Sequence, residues 1–267
     1  MRNFFLTAAA VLTLAGGATA QGLKTPAPSP MQTLDQAFAL SNVKIEYSRP
    51  AAKGRAIFGD VVPFGKVWRT GANQATKITF GDDVMVAGKE LKAGTYAIYT
   101  MPEKSKWEVM FYKDLTMGGN VASYKTSDEV LRVSAPVMKL NDKVETFTIN
   151  IGDITSTTAT LDMMWENTRV SVPIKANIDD KIMASIKSNV EMDNRPYFGA
   201  ASYYYDNGKD LTQALTWVNK AIESNPDAFW MQHLKAKIQL KAGDKAGAVA
   251  SAQKSMELAR KPRTKIM

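Results

Sequence analysis

The chain has 267 residues, 45% of them apolar and 22% charged, which suits one large or two modest globular domains. It has no cysteine and a single histidine, His233, so a disulfide framework and a standard Cys/His zinc site are both excluded. The net charge of +8 is spread along the chain, with one concentration near residue 60 and another in the tail from Arg260 to Lys265.

The N-terminus has the pattern of an export signal. Arg2 precedes an apolar run from Phe4 to Leu14, and Ala18-Thr19-Ala20 forms a small-x-small cleavage site. The run is shorter than the roughly 20 residues a membrane-spanning helix needs. No cysteine follows it for lipid attachment, and no later run is apolar enough to span. A periplasmic or secreted protein cleaved after Ala20 is expected, with no transmembrane segment. Such a protein would meet anionic glycans, headgroups or acidic protein surfaces rather than nucleic acid. Residues 21–33, with Pro26, Pro28 and Pro30, read as an extended spacer.

Residues 34–176 carry the period of strands. Val43, Ile45 and Tyr47 alternate with Lys44, Glu46 and Ser48, and Thr76, Ile78 and Phe80 alternate in turn. Val84-Met85-Val86 and Lys89-Glu90-Leu91 flank Ala87-Gly88, a hairpin signal. Tyr96 to Thr100 precedes Pro102. Trp107, Val109 and Phe111 point one way and Lys106, Glu108 and Met110 the other. Val130 to Val137, Val144 to Ile151 and Ala159 to Trp165 follow, and Val170, Val172 and Ile174 come after an expected tight turn at Glu166-Asn167. This is the pattern of an antiparallel β-sandwich or jelly roll, with a closed barrel as the alternative.

Residues 177–267 change to a helical period. Asp179 opens a stripe of Ile182, Met183, Ile186 and Val190. Pro196 starts another that Gly208 ends, a third runs from Ala214 to Pro226, and Gly243 separates the last two. QALTWVNKAIESNP, Gln213 to Pro226, resembles the second helix of a tetratricopeptide repeat. Ala214 and Ala248 stand one such period apart, about 34 residues. Docking of a protein partner is expected of this helical region.

The densest chemistry lies from Ser48 to Asn73, SRPAAKGRAIFGDVVPFGKVWRTGAN. Arg49, Lys53, Arg55, Lys66 and Arg69 face a single acid, Asp60, among four glycines and the aromatics Phe58, Phe64 and Trp68. Guanidinium groups bind carboxylate or phosphate through paired hydrogen bonds. Arg49, Lys53, Arg55, Arg69 and Asn73 are therefore expected to line a site for an anionic or carbohydrate ligand. In the alternative, Arg49 and Arg69 pair with carboxylates such as Glu46 or Glu166, and Asn73 satisfies loop backbone. Trp68, Tyr96, Tyr99, Trp107 and Trp165 fit a core better than a sugar-stacking platform.

Other constellations are weak. His233 sits mid-helix. Asp206 to Asp210 lacks the spacing and closing Glu of a calcium loop. Ser251-x-x-Lys254 lacks its companion motifs, and Asp82-Asp83 beside Gly81 reads as a turn. No catalytic residue, cofactor or metal is expected. The reading is a non-catalytic binding module. Its rivals are a hydrolase of envelope glycan or peptide, and an assembly or chaperone factor.

The Ser48–Asn73 segment resembles the signature of DUF2911, a bacterial envelope family of unknown function. The resemblance extends through Lys77–Pro102, Lys106–Asp114, Glu129–Val137, Val144–Ile149 and Trp165–Ile174. It implies an exported module that commonly carries a helical C-terminal extension, and it brings no catalytic residue. Gly118-Gly119-Asn120 departs from the pattern, where members often carry a Trp.

Overall fold

The structure, a computed structural model, describes residues 25–191 and 196–260; the expected signal peptide and the basic tail beyond Arg260 lie outside them. Nine strands come first: β1 (Met31–Phe38), β2 (Ser41–Ser48), β3 (Ala72–Phe80), β4 (Val84–Val86), β5 (Lys89–Leu91), β6 (Gly94–Pro102), β7 (Lys106–Tyr112), β8 (Glu129–Gly152) and β9 (Thr158–Ala176). They form one antiparallel sheet in the order β1-β2-β3-β6-β7-β8-β9-β4-β5. The order has two ends, so the sheet is open rather than a closed barrel. The fold class read from the sequence, mainly antiparallel β followed by helices, is the one observed.

The sheet folds over at β8. Residues from Glu129 to Pro136 pair with β7, and those from Val137 to Gly152 pair with β9. One strand thus serves two sheets in a sandwich-like arrangement. The first sheet turns Ile45, Ile78, Ile98, Val109 and Phe111 inward; the second contributes Ile149, Leu161, Met163, Val172 and Ile174. The alternation that marks these strands is the pleat itself, which sends successive side chains to opposite faces. Ala87 (φ 47°) and Gly88 (φ 80°) make the two-residue turn of the β4–β5 hairpin, which needs positive φ at both central positions.

Three sequence expectations change. The segments Val130–Val137 and Val144–Ile151 are one continuous strand. Glu166 is not in a turn: it sits at φ 49° inside β9, opposite the register shift between Lys139 and Val144. An irregularity of this kind bends a strand without ending it. The first strand also begins at Met31, inside the expected spacer. The outer face of the first sheet is covered as well. Ala75, Ala97, Tyr99, Met110 and Tyr112 are buried there, with Leu115, Met117, Val121 and Tyr124 packed over them.

Five helices follow: α1 (Asp179–Ile186), α2 (Tyr197–Asp206), α3 (Leu211–Ser224), α4 (Phe229–Lys241) and α5 (Lys245–Arg260). Asp210 caps α3 by accepting from the N–H groups of Thr212 and Gln213 at 2.8 and 3.2 Å. Ile186, Tyr197, Ala201, Ala214, Trp217, Val218 and Ile238 form a second core. Ala214 is fully buried and Ala248 nearly so, as small residues at close helix contacts should be. Ile182 packs against both cores, and Lys181 bonds Asp82 across the junction. Among the described residues no helix is long and apolar enough to cross a membrane.

Phe147 is fully buried and contacts Tyr47, Trp68 and Trp165. Phe147→Ala should therefore cost about 3–5 kcal/mol. Denaturant unfolding followed by near-ultraviolet circular dichroism checks this, and a loss under about 1 kcal/mol would contradict the packing described.

Candidate functional site

The chain between β2 and β3 lies on the second half of β8. The Ala52 N–H donates to the Glu145 carbonyl at 2.8 Å, and the Phe147 N–H donates to the Pro50 carbonyl at 2.9 Å. Further along, Trp68 and Thr100 exchange two backbone bonds of 2.7 and 2.9 Å. The loop therefore binds the β8 edge at one end and β6 at the other. Between these anchors Phe58 and Trp68 enter the sandwich. Trp68 stacks on Trp165 at 6.0 Å and meets Trp107 edge-on at 6.1 Å. Phe58 lies 5.0 Å from Trp107.

Two carboxylates hold the loop, and neither pairs with a cation of the loop. Glu145 Oε1 accepts from the Lys53 backbone N–H at 2.6 Å, and Glu166 Oε2 accepts from that of Ile57 at 3.1 Å. Glu46 pairs with Lys44 at 3.3 Å. The pairing of Arg49 and Arg69 with Glu46 or Glu166 is thus not formed.

The expected site residues separate into two groups. Arg49 is half-buried against β8, donating to the Phe147 carbonyl at 3.1 Å and to Thr148 Oγ1 at 2.8 Å. Arg55 folds back onto the Ala52 and Ala51 carbonyls at 3.0 and 2.8 Å. Lys53 is exposed at φ 51°. Asn73 donates to the Ser29 carbonyl at 3.3 Å and to Ser48 Oγ at 3.1 Å, so it does satisfy backbone. Arg69 points to the Gly118-Gly119 turn and donates to the Asn73 carbonyl at 3.2 Å, so Asn73 touches both groups. Among the described residues, Arg49, Lys53, Arg55, Lys66 and Arg69 form no ion pair.

Arg69 and Lys66 line one small cleft of about 170 Å³, with Val61, Val62, Trp68, Gly119 and Val121. The backbone that presents Arg69 is held out of the common regions. Thr70 sits at φ 57° and Asn73 at φ 60°. For a β-branched residue that conformation is an outlier, worth about 1–3 kcal/mol of strain, and it persists only where the surroundings fix it. Here they do: Thr70 is fully buried, its hydroxyl meets that of Thr100 at 3.1 Å, and its carbonyl accepts from the Thr76 hydroxyl. The far wall is equally constrained. A Cβ on Gly119 would overlap the Asn73 carbonyl oxygen and stand 2.6 Å from Arg69 Nη1. Glycine is required by that close approach.

The covering turn is tied down by a tyrosine layer that sequence reasoning did not assign to the site. The Tyr99 hydroxyl donates to the Gly118 carbonyl at 2.8 Å, Tyr112 to Asp128 Oδ2 at 3.1 Å, and Tyr124 to Glu129 Oε1 at 2.8 Å. Arg132 grips Glu129 with bonds of 2.9 and 2.5 Å. Burial pushes the Tyr99 phenol up to about 12, with Tyr112 and Asp114 adding to the effect. Tyr124 is raised by burial and by Glu129, while the Arg132 bonds lower Glu129. The strand period assigned Tyr99 one face; it carried no sign that the face is covered.

The remaining motifs take structural places. Tyr96, Tyr99, Trp107 and Trp165 are buried and Trp68 is half-buried, so none of these aromatics is open for sugar stacking. The Ser251 hydroxyl donates to Gln239 inside the helical core at 2.6 Å, and His233 is exposed on α4. Asp83 closes a turn by accepting from the Ala93 N–H at 2.8 Å.

A family model described as a protein of unknown function, DUF2911, matches residues 29–174, more than half of the chain. The chain belongs to this family. Neither a curated protein nor a solved structure matches it. The Arg69 cleft, its covering turn and the tyrosine layer all fall within the DUF2911 span, while the five helices lie beyond it.

Gly119→Ala should lift the turn from Arg69 and lower stability by about 1–3 kcal/mol, the usual range for overpacking; a thermal melt checks it. Alkaline pH should act through Tyr99. An unfolded phenol ionises near pH 10, whereas the folded one holds its proton to about 12. Above about pH 10 the unfolded state binds fewer protons, so stability falls as pH rises toward 12. Denaturant titrations across that window should show the fall, and Tyr99→Phe should reduce it.

Proposed function

We propose that this DUF2911 protein is a non-catalytic binding module of the cell envelope, and that Lys66 and Arg69 hold a small oxyanion or the anionic end of a larger envelope molecule. One observation carries the reading: two cations line the same cleft, and neither has an acid within ion-pair distance among the described residues. Structural ion pairs need balancing acids; Glu145 and Glu166 accept from backbone N–H groups in the first part of the loop, and Glu103, whose carboxylate approaches Gly65, makes no ion pair with Lys66. Arg69 makes a single hydrogen bond to protein, which leaves guanidinium donors for a paired contact with an anion. The cleft has the size of a phosphate or carboxylate group rather than a whole sugar chain, since sites for larger ligands run to about 300–1,000 Å³.

In this reading Arg49, Lys53, Arg55 and Asn73 shape the loop, and Arg69 with Lys66 makes the contact. A hydrolase would need carboxylates converging on Arg69, and no carboxylate lines the cleft. The N-terminal signal pattern supports an envelope location. The division into a β domain at 34–176 and a helical region at 177–267 is supported by two separate cores that have Ile182 in common.

Thermal shift with phosphate, sulfate and acetate tests the site. A ligand one hundred-fold above its Kd stabilises by about 2.7 kcal/mol. At least one anion should raise the melting temperature of the wild type, and Arg69→Ala and Lys66→Ala should lose most of that rise while keeping the wild-type far-ultraviolet spectrum. Equal stabilisation of all three proteins, or of none, would sink the reading.

A further inference from the structure

An open sheet presents rows of unpaired backbone groups at its edges, and each row can take up another strand. Two of the edges here are blunted. β5 is three residues long and carries Lys89 and Glu90. The second half of β8 is plugged on the side away from β9. There the Tyr47 hydroxyl accepts from the Ile149 N–H at 2.9 Å and sits 3.1 Å from the carbonyl of the same residue, while Arg49 Nε donates to the Phe147 carbonyl at 3.1 Å. The Pro50 carbonyl and the Ala52 N–H take the neighbouring groups of Phe147 and Glu145.

β1 has none of these devices. It is eight residues long, pairs with β2 alone and contains no Lys, Arg or Pro. Its single charged residue, Asp35, accepts from Asn42 Nδ2 at 2.6 Å. The register fixes which backbone groups are free. The Pro30 carbonyl accepts from the Arg49 N–H at 2.9 Å, and the turn Ala39-Leu40 closes on the pair Phe38–Ser41. Even-numbered residues therefore turn their N–H and C=O toward β2, since bonded and unbonded pairs alternate along an antiparallel ladder. Met31, Thr33, Asp35 and Ala37 turn theirs outward, and all four are exposed. Among the described residues, only the Gln36 side-chain amide reaches one of these outward groups, the Ala37 carbonyl, at 3.0 Å.

This edge is complementary to itself. An antiparallel partner must set outward residue against outward residue, odd number against odd. One two-fold register does so along the whole strand, with Met31 of one copy opposite Ala37 of the other and Thr33 opposite Asp35. It also sets Leu34 against Leu34 on the inner face, where Leu34 already packs on the core, and Gln32 against Gln36. Sliding the partner one way brings Asp35 directly onto Asp35, and like charges directly opposed are destabilising. Sliding it the other way runs Ala37 past the end of the strand. We propose that β1 pairs with β1 of a second copy of this chain in that register, giving a two-fold dimer in which one sheet runs through both β regions.

Sedimentation equilibrium and single-cysteine crosslinking test the proposal. The protein should dimerise with a Kd below about 100 µM. Thr33→Pro removes an N–H that faces outward, a position an edge strand tolerates, and should weaken the dimer by at least about tenfold while the dilute protein keeps the wild-type far-ultraviolet spectrum. The chain has no cysteine, so a single introduced one reports the register. Leu34→Cys places two thiols in a pair without backbone bonds, Cα atoms about 4.5 Å apart, and should oxidise to a disulfide-linked dimer. The two copies of Thr33→Cys stand diagonally, about 7–8 Å apart, and should not. The crosslinking result stands whether or not Thr33→Pro keeps its fold. A wild type that is monomeric at about 100 µM, a well-folded Thr33→Pro that dimerises as tightly as the wild type, or a crosslink through Thr33→Cys instead of Leu34→Cys would overturn the proposal.

Discussion

The insertion of Trp68 between the two sheets is the constraint on which the rest depends. Its backbone is paired with Thr100 of the first sheet, its ring stacks on Trp165 of the second, and its indole N–H donates to the Gly71 carbonyl at 3.1 Å. Aromatic pairs of this kind add about 0.5–1.5 kcal/mol each beyond the area they bury, and this ring takes part in four. A side chain fixed that firmly dictates where its neighbours go. Arg69 follows directly, so its position is set by the core rather than by the loop's own preferences. Thr70 must then take a conformation it would otherwise avoid, and the buried threonine hydroxyls around it hold it there.

The same constraint explains why the loop's cations lack acids. A long loop laid over a sheet edge must satisfy its backbone N–H groups, and buried ones left unpaired are costly. Glu145 and Glu166 do this for Lys53 and Ile57. Arg49 and Arg55 do the converse, giving their guanidinium hydrogens to carbonyl oxygens of Phe147, Ala52 and Ala51. Charge in this segment is used mainly for backbone accounting, and Lys66 and Arg69 are the pair left over at one cleft. Counting charges in the sequence detects the surplus but cannot tell which of the cations share a cleft.

Much of the fold was legible because the pleat and the helix each leave a period. Val43-Ile45-Tyr47 and Trp107-Val109-Phe111 are inward-facing as read, and Ala87-Gly88 is the turn its residues require. Gly208, Gly243 and Pro226 stand where helices stop. What was missed involves pairing across distance. The break in period near Glu166 looks the same whether the chain reverses or merely bulges, and only its partner at Lys139–Val144 distinguishes them. Met110 and Tyr99 alternate correctly, yet their face is covered by a segment some residues away, which no local pattern announces. At the cleft, Arg69 was singled out by its residue type; Gly119, on the other wall, and Tyr99, which holds the Gly118 carbonyl, are distant in sequence and carry no charge.

The sharing of β8 between the sheets has a consequence for the order of assembly. The edge on which the Arg49–Trp68 loop rests belongs to the second half of β8, and Arg49 and Phe147 are 98 positions apart. Until residues near 147 exist and have paired with β9, that loop has no surface to lie on, and the inner face of β2, β3, β6 and β7 has no opposing layer. Contacts of such wide sequence separation form late, because the chain must first give up the entropy of closing the intervening loop. A growing chain therefore carries its first half as an exposed, half-finished layer. The Trp68 ring, which stacks on Trp165, reaches its final packing only when the second sheet closes over the first.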